Sequence, residues 1–257
     1  MTAVASFDSL DQLRRAFRRL QADEPAVRPW ADASASRWTA SRGERQLLVC
    51  GCGGSGATTV ALALATAAGR ARVLETCGGV VSGLSYAATA ELGTVGRQWS
   101  RGSRGEVVLD RRPGPIGSPQ DVPIPADLDV PLTVVDSSWD LATLLASDGW
   151  LGDLARTCPA VVLVARATVP GLRRLEAAMP AAGESRTVAV TVGARRWPRR
   201  VEQSAGAAVR RLRDAGRVVH VPDEPALAIT GLTPDPLPPA IIRSARAVLT
   251  LLEGPLS

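Results

Sequence analysis

A chain of 257 residues with 46% hydrophobic content has room for one large domain, or a domain with appendages, and ample material for its core. Its net charge of +5 and pI near 9.8 lean only weakly toward anionic partners, and all 30 basic residues are arginine, a bias that a GC-rich genome produces without selection for arginine chemistry. No apolar run reaches the ~18 residues of a membrane span and no signal core opens the chain, so a cytoplasmic protein is expected; cysteines 50, 52, 77 and 158 form no zinc pattern, and a reducing compartment disfavours a disulfide framework.

Residues 1–22 hold an amphipathic helix, with Leu10, Leu13, Phe17 and Leu20 on one stripe among Arg14, Arg15, Arg18 and Arg19. Two readings suit it: a helix docked on the main domain, or one that meets a protein partner or a membrane surface. Residues 23–44, rich in Pro, Ala, Ser and Arg, read as a linker. From residue 46 the pattern becomes strand, loop, helix. A short apolar strand at 46–50 leads into a glycine loop at 51–57 and an Ala/Leu helix at 58–68, closed by Gly69. A strand at 72–74 follows, then a short helix at 84–92, an irregular Arg/Gly/Ser-rich stretch at 96–105, and a strand at 106–109. The six prolines of 111–131 predict a surface loop. Beyond it lie strands at 132–135, 160–165, 188–192 and 218–221, and helices at 141–156, 170–179, 199–215 and 239–253. This alternation predicts an α/β domain with a mostly parallel sheet and helices on both faces.

Gly51-Cys52-Gly53-Gly54-Ser55-Gly56-Ala57-Thr58-Thr59 has the layout of a phosphate-binding loop, G-x-x-x-x-G-K-[ST], with Ala57 where the lysine belongs. Such loops work because successive backbone N–H groups converge at a helix N-terminus, where glycines allow close approach. Thr58 stands where a hydroxyl is offered to Mg²⁺. The charge that would neutralise the β- and γ-phosphates is missing, and no lysine elsewhere in the chain can supply it. The alternative is a tight strand-to-helix turn without a ligand.

The segment Gly53–Thr59 resembles the deviant Walker A signature K-G-G-x-G-K-T-T of the ParA/MinD partition and positioning ATPases, with Cys52 and Ala57 at the two lysine positions. The resemblance covers most of 46–253 and implies a P-loop domain over 45–257. In it, Gly53, Gly54, Ser55, Gly56, Ala57, Thr58 and Thr59 line the nucleotide site, and ATP or ADP with Mg is the expected ligand if any is bound. Glu75 falls on the first aspartate of the family's D-x-D and Cys77 on the second. Asp136 matches the switch aspartate, a catalytic and, with Thr58, a metal-linked position. Gly193 lies where an asparagine often reads adenine, and Val221-Pro222-Asp223 resembles the final strand and its base loop. The nearest style is that of degenerate members positioning pili or septa, the TadZ/CpaE type. Relatives dimerise across nucleotide through the signature lysine, a contact Cys52 cannot make, so self-association is expected to depend little on ATP.

Other residues carry a plainer reading beside a functional one. Asp136 otherwise caps the turn with Ser137 and Ser138. Cys50, Cys52 and Cys77 sit at the ends of two strands, as a metal or redox cluster or as small buried side chains. His220, the one histidine, is expected to be structural. Arg195, Arg196, Arg199, Arg200, Arg210, Arg211 and Arg213 are a solvated face or a nonspecific DNA patch. The favoured expectation is a nucleotide-binding or pseudo-ATPase protein that positions or regulates a larger assembly, with a protein partner, a homodimer or DNA as its associates and a cytoplasmic location, peripheral to membrane or nucleoid. Its rivals are a slow ATPase borrowing Arg42, Arg45 or a second subunit's arginine, a DNA-binding partition factor without nucleotide, and a module that uses only the fold.

Overall fold

The computed structural model describes residues 38–253 apart from 42, 79–82, 97 and 115. The helix expected at 1–22, the linker before residue 38, and Arg42 lie outside the described residues.

Nine strands among the described residues form one sheet: β1 (Arg45–Gly51), β2 (Ala71–Gly78), β3 (Ala90–Val95), β4 (Trp99–Arg104), β5 (Val107–Arg112), β6 (Leu132–Ser137), β7 (Val161–Arg166), β8 (Thr187–Gly193) and β9 (Val218–Pro222). Their order is β3-β4-β5-β2-β6-β1-β7-β8-β9. From β5 to β9 every pairing is parallel; β3 and β4 add an antiparallel margin. The central strands read as Val/Leu runs because both their faces are covered.

One face carries α1 (Ala57–Ala68) and α8 (Pro239–Glu253). Val60 to Ala65 of α1 are all buried, because the sheet covers one side of that helix and Ile241, Ala245 and Val248 of α8 the other. The opposite face carries α2 (Leu141–Ala146), α3 (Gly149–Thr157), α4 (Val169–Ala182), α5 (Arg199–Gln203) and α6 (Ala207–Asp214). A short helix, α7 (Pro225–Thr230), follows β9.

Four local expectations are corrected. Only Leu84–Ala87 of the helix expected at 84–92 is helical, as a 3-10 turn, and Ala90 begins β3. The stretch 96–105 is not irregular but contains β4, whose Arg101 stands directly opposite Asp110 of β5 and binds it through both carboxylate oxygens, at 2.7 and 2.8 Å. The helix expected at 141–156 breaks at Ser147 and Asp148, which are extended, and resumes at Gly149 with a φ of +82° that glycine takes freely. That at 199–215 breaks before Gly206, where Glu176 of α4 reaches over and accepts hydrogen bonds from the N–H groups of Ala208 (2.9 Å) and Val209 (3.0 Å), capping α6 from outside.

The proline-rich segment crosses the face opposite α1, apart from Arg111 and Arg112, which belong to β5. Its carbonyls are tied down by donors that point out of the core: Trp99 Nε1 to Ile124 O (3.3 Å), Trp150 Nε1 to Val122 O (2.8 Å) and Arg72 Nη1 to Ala126 O (2.9 Å). Trp38 packs edge-on against Trp150.

Candidate functional site

The glycine loop joins the carboxyl end of β1 to α1, at the rim of a parallel sheet where open α/β folds bind ligands. Gly54 (φ +76°) and Gly56 (φ +91°) take left-handed conformations that a side chain would strain. Ser55 N–H closes the turn on Cys52 O at 2.9 Å. The Ser55 side chain is buried with its Oγ unpartnered, tucked so close to Gly51 that a Cβ there would overlap it. Thr58 and Thr59 sit in the first turn of α1.

Asp136, at the carboxyl end of β6, is 2% exposed. Thr58 lies close enough for its hydroxyl to hold this carboxyl down, and Oδ2 makes no hydrogen bond. Burial pushes this carboxyl up to about 6. Glu75 pairs with Asp136 in the β2–β6 register and is fully buried. Burial, and then the charge of Asp136, push Glu75 up to about 8, opposed by Arg111 and by the Cys77 thiol that donates toward it. Phosphate loop, Thr58, Asp136 and Glu75 therefore form one constellation, in which two adjacent carboxyls disfavour each other's ionisation.

The rest of the rim is built by β7, β8 and β9. Gly193 pairs with Pro222 where β8 and β9 end, and Arg166 of β7 grips Asp223 through both oxygens at 3.0 and 2.9 Å. At Gly193, φ is +137° and a Cβ would come within 3.2 Å of Ala167 Cβ, so an asparagine in this backbone conformation would be strained.

Other sequence candidates separate. Arg45 lies at the amino end of β1, the wrong end for phosphate, and pairs with Glu253 at 3.1 Å. The three cysteines do not cluster as a ligand set: Cys50 is buried on the α4 face, its thiol pushed far up by desolvation, Cys52 is exposed on the loop, and Cys77 is engaged by Glu75. No group of three or more potential metal-ligating His, Cys, Asp or Glu occurs among the described residues. Of the basic segment, Arg211 binds Glu184 and Arg213 binds Glu202 (2.9 Å) while stacking over Trp197. Arg195, Arg196, Arg199, Arg200 and Arg210 make no ion pair among the described residues. Arg195, Arg196, Trp197, Arg213 and His220 line an open groove of about 420 Å³ against β9, where burial holds the imidazole of His220 below its ordinary value.

Sequence reasoning missed Arg174. It projects from α4, and its Nη1 lies 3.4 Å from Cys52 Sγ on the phosphate loop. Nothing local in the sequence links positions 52 and 174; only the packing of α4 on β7, the neighbour of β1, does.

No protein-family model and no curated protein sequence matches the chain. Solved structures match its fold. A plasmid partition protein from Borrelia burgdorferi B31, bound to AMPPNP, superposes with a TM-score of 0.51 at 10% identity over 81% of this chain and 99% of its own. Apo McdA from Cyanthece does so with a TM-score of 0.55 at 10% identity over 80% and 99%. The ParA/MinD-like α/β fold expected from the sequence is the one observed. No helix among the described residues is long and apolar enough to cross a membrane.

Proposed function

We propose that this chain is a nucleotide-binding, ParA/MinD-like protein of degenerate, non-hydrolysing type, which positions or regulates a larger assembly. One observation carries the reading: a phosphate loop with its glycine conformations intact stands beside the Thr58–Asp136 pair, while Cys52 and Ala57 occupy both lysine positions. Backbone N–H groups at the start of α1 are the phosphate ligands. The unpartnered Asp136 Oδ2 and the Thr58 hydroxyl fit a hard cation such as Mg²⁺, which would neutralise phosphate charge when bound. By the resemblance, Cys77 replaces the aspartate that helps the family arrange an attacking water, and Glu75 lies two residues before it. A carboxyl pushed up to about 8 is mostly protonated at neutral pH and cannot then take a proton from water. Likeness to a partition protein supports the positioning role through fold alone.

Calorimetric titration with ATP and ADP plus Mg²⁺ tests the reading. Binding is expected, with turnover negligible beside the ~1–100 s⁻¹ of working kinases. Ala57→Lys with Cys77→Asp is expected to raise turnover. Robust hydrolysis by the unmodified chain, abolished by Thr58→Ala, would establish an active ATPase instead.

A second reading, nonspecific DNA binding, is favoured by the arginines left without carboxylates beside Trp197. Gel retardation is expected to weaken steeply with salt. Reversing Arg199, Arg200 and Arg210 to Glu is expected to eliminate it, and no retardation at low salt would leave a solvated face.

A further inference from the structure

We infer that Arg174 supplies the phosphate loop with the positive charge that its own sequence lacks. The inference rests on the nucleotide reading above and names the residue that makes it workable. A phosphate chain over this loop would meet backbone N–H groups but no lysine, since the chain contains none. Asp136 lies beside Thr58 just behind the same loop, so its charge when ionised is unfavourable to an anion unless a cation offsets it.

Arg174 is placed to do so by the geometry of α4. That helix starts at Thr168, whose hydroxyl accepts a hydrogen bond from Gly171 N–H at 3.2 Å, and it descends from the rim that carries the loop. Helical Cα–Cβ bonds tilt toward the helix N-terminus, so a long side chain one to two turns in reaches back to the rim. Leu172 and Leu175 are buried and fix the rotation of the helix, which leaves Arg174 on the side toward Cys52. The guanidinium is exposed and makes no ion pair among the described residues, whereas Arg156, Arg166, Arg211 and Arg213 each hold a carboxylate. Its contact with Cys52 Sγ, at 3.4 Å, is with a weak acceptor. A phosphate oxygen is a far better one, and a guanidinium binds it with two parallel N–H groups. The cation that the loop's own sequence lacks is thus supplied by an arginine arriving from α4. The buried, unpartnered Ser55 Oγ inside the loop and the unpartnered Asp136 Oδ2 beside it are the independent marks of a ligand site.

The test uses the full chain and calorimetric titration with Mg-ATP and Mg-ADP. Arg174→Ala is expected to weaken binding about 10- to 100-fold, the range of a charge-assisted hydrogen bond lost from the site. Arg173→Ala removes the same charge one position away, also on an exposed residue, and is expected to bind within about twofold of the parent. Adding Ala57→Lys to Arg174→Ala is expected to recover affinity, because it restores a cation from within the loop. An unchanged thermal midpoint for Arg174→Ala is expected from its exposure and separates lost binding from lost folding. If the parent binds and Arg174→Ala binds equally well, or if Arg173→Ala weakens binding as much, the assignment of Arg174 is overturned and the nucleotide reading stands. If the parent shows no binding at millimolar nucleotide, both fall.

Discussion

At pH 8.5 the Glu75→Gln variant is expected to be more stable than the parent, by on the order of 4–5 kcal/mol, and the gap is expected to close by pH 4.5. Glu75 is fully buried on β2 beside Asp136, and its carboxyl is pushed up from 4.5 to about 8 by burial first and by Asp136 second. A group whose folded value lies above its unfolded one favours the folded state while it is protonated. That contribution is fully present below pH 4.5 and is lost as pH rises through about 8. Each unit of difference is worth about 1.4 kcal/mol. The glutamine amide keeps the shape of the carboxyl and cannot ionise, so the substitution removes this slope. Asp136, pushed up to about 6, leaves a smaller slope of the same sign between 3.8 and 6, and His220, held low by burial, acts in the opposite sense. Comparing the two proteins at each pH cancels both to first order. Urea denaturation at pH 4.5, 6.5 and 8.5 measures it, and a parent equally stable at all three would rule the pair out as a protonated one.

Asp110→Ala is expected to cost about 3–5 kcal/mol, the scale for breaking a buried ion pair by removing one partner. Asp110 is fully buried on β5 and holds two arginines: Arg72, 1% exposed, at 2.5 Å, and Arg101 through both oxygens. Arg72 also donates to Ala126 O, so the same network ties the proline-rich segment to the sheet. Without Asp110 a guanidinium is left in the interior, where burial already pulls Arg72 below its ordinary value. Replacing Arg72 by Met as well is expected to recover part of the loss, since it removes the stranded charge. Chemical denaturation of both variants measures this. A cost below about 1 kcal/mol for Asp110→Ala would show that the network adds little to stability.

The strands at 46–50, 72–74, 132–135, 160–165, 188–192 and 218–221 were legible because parallel strands buried on both faces must be continuous apolar runs, and all but their edges agree with the observed β1, β2 and β6–β9. β4 was not legible, because a strand of the antiparallel margin can carry polar side chains held by cross-strand partners: Arg101 is there for Asp110, a partner the local sequence does not announce. The same reason hid the break before α6, whose cap comes from Glu176 on another helix.

Local residue identity decided the phosphate loop. Its glycines, the threonines behind it and the loss of both lysines are properties of seven or eight consecutive residues, and backbone conformation at that range follows from the side chains themselves. Long-range packing decided everything the loop faces. Glu75 and Asp136 became a coupled pair only when β2 and β6 were placed side by side in a register that sets the two residues opposite each other. Arg45, close in sequence, was carried to the far end of the sheet by the direction of β1, while Arg174, 122 positions away from Cys52, was brought to the loop by the packing of α4. Charge interactions act through space over a few ångströms, so no spacing along the chain encodes them.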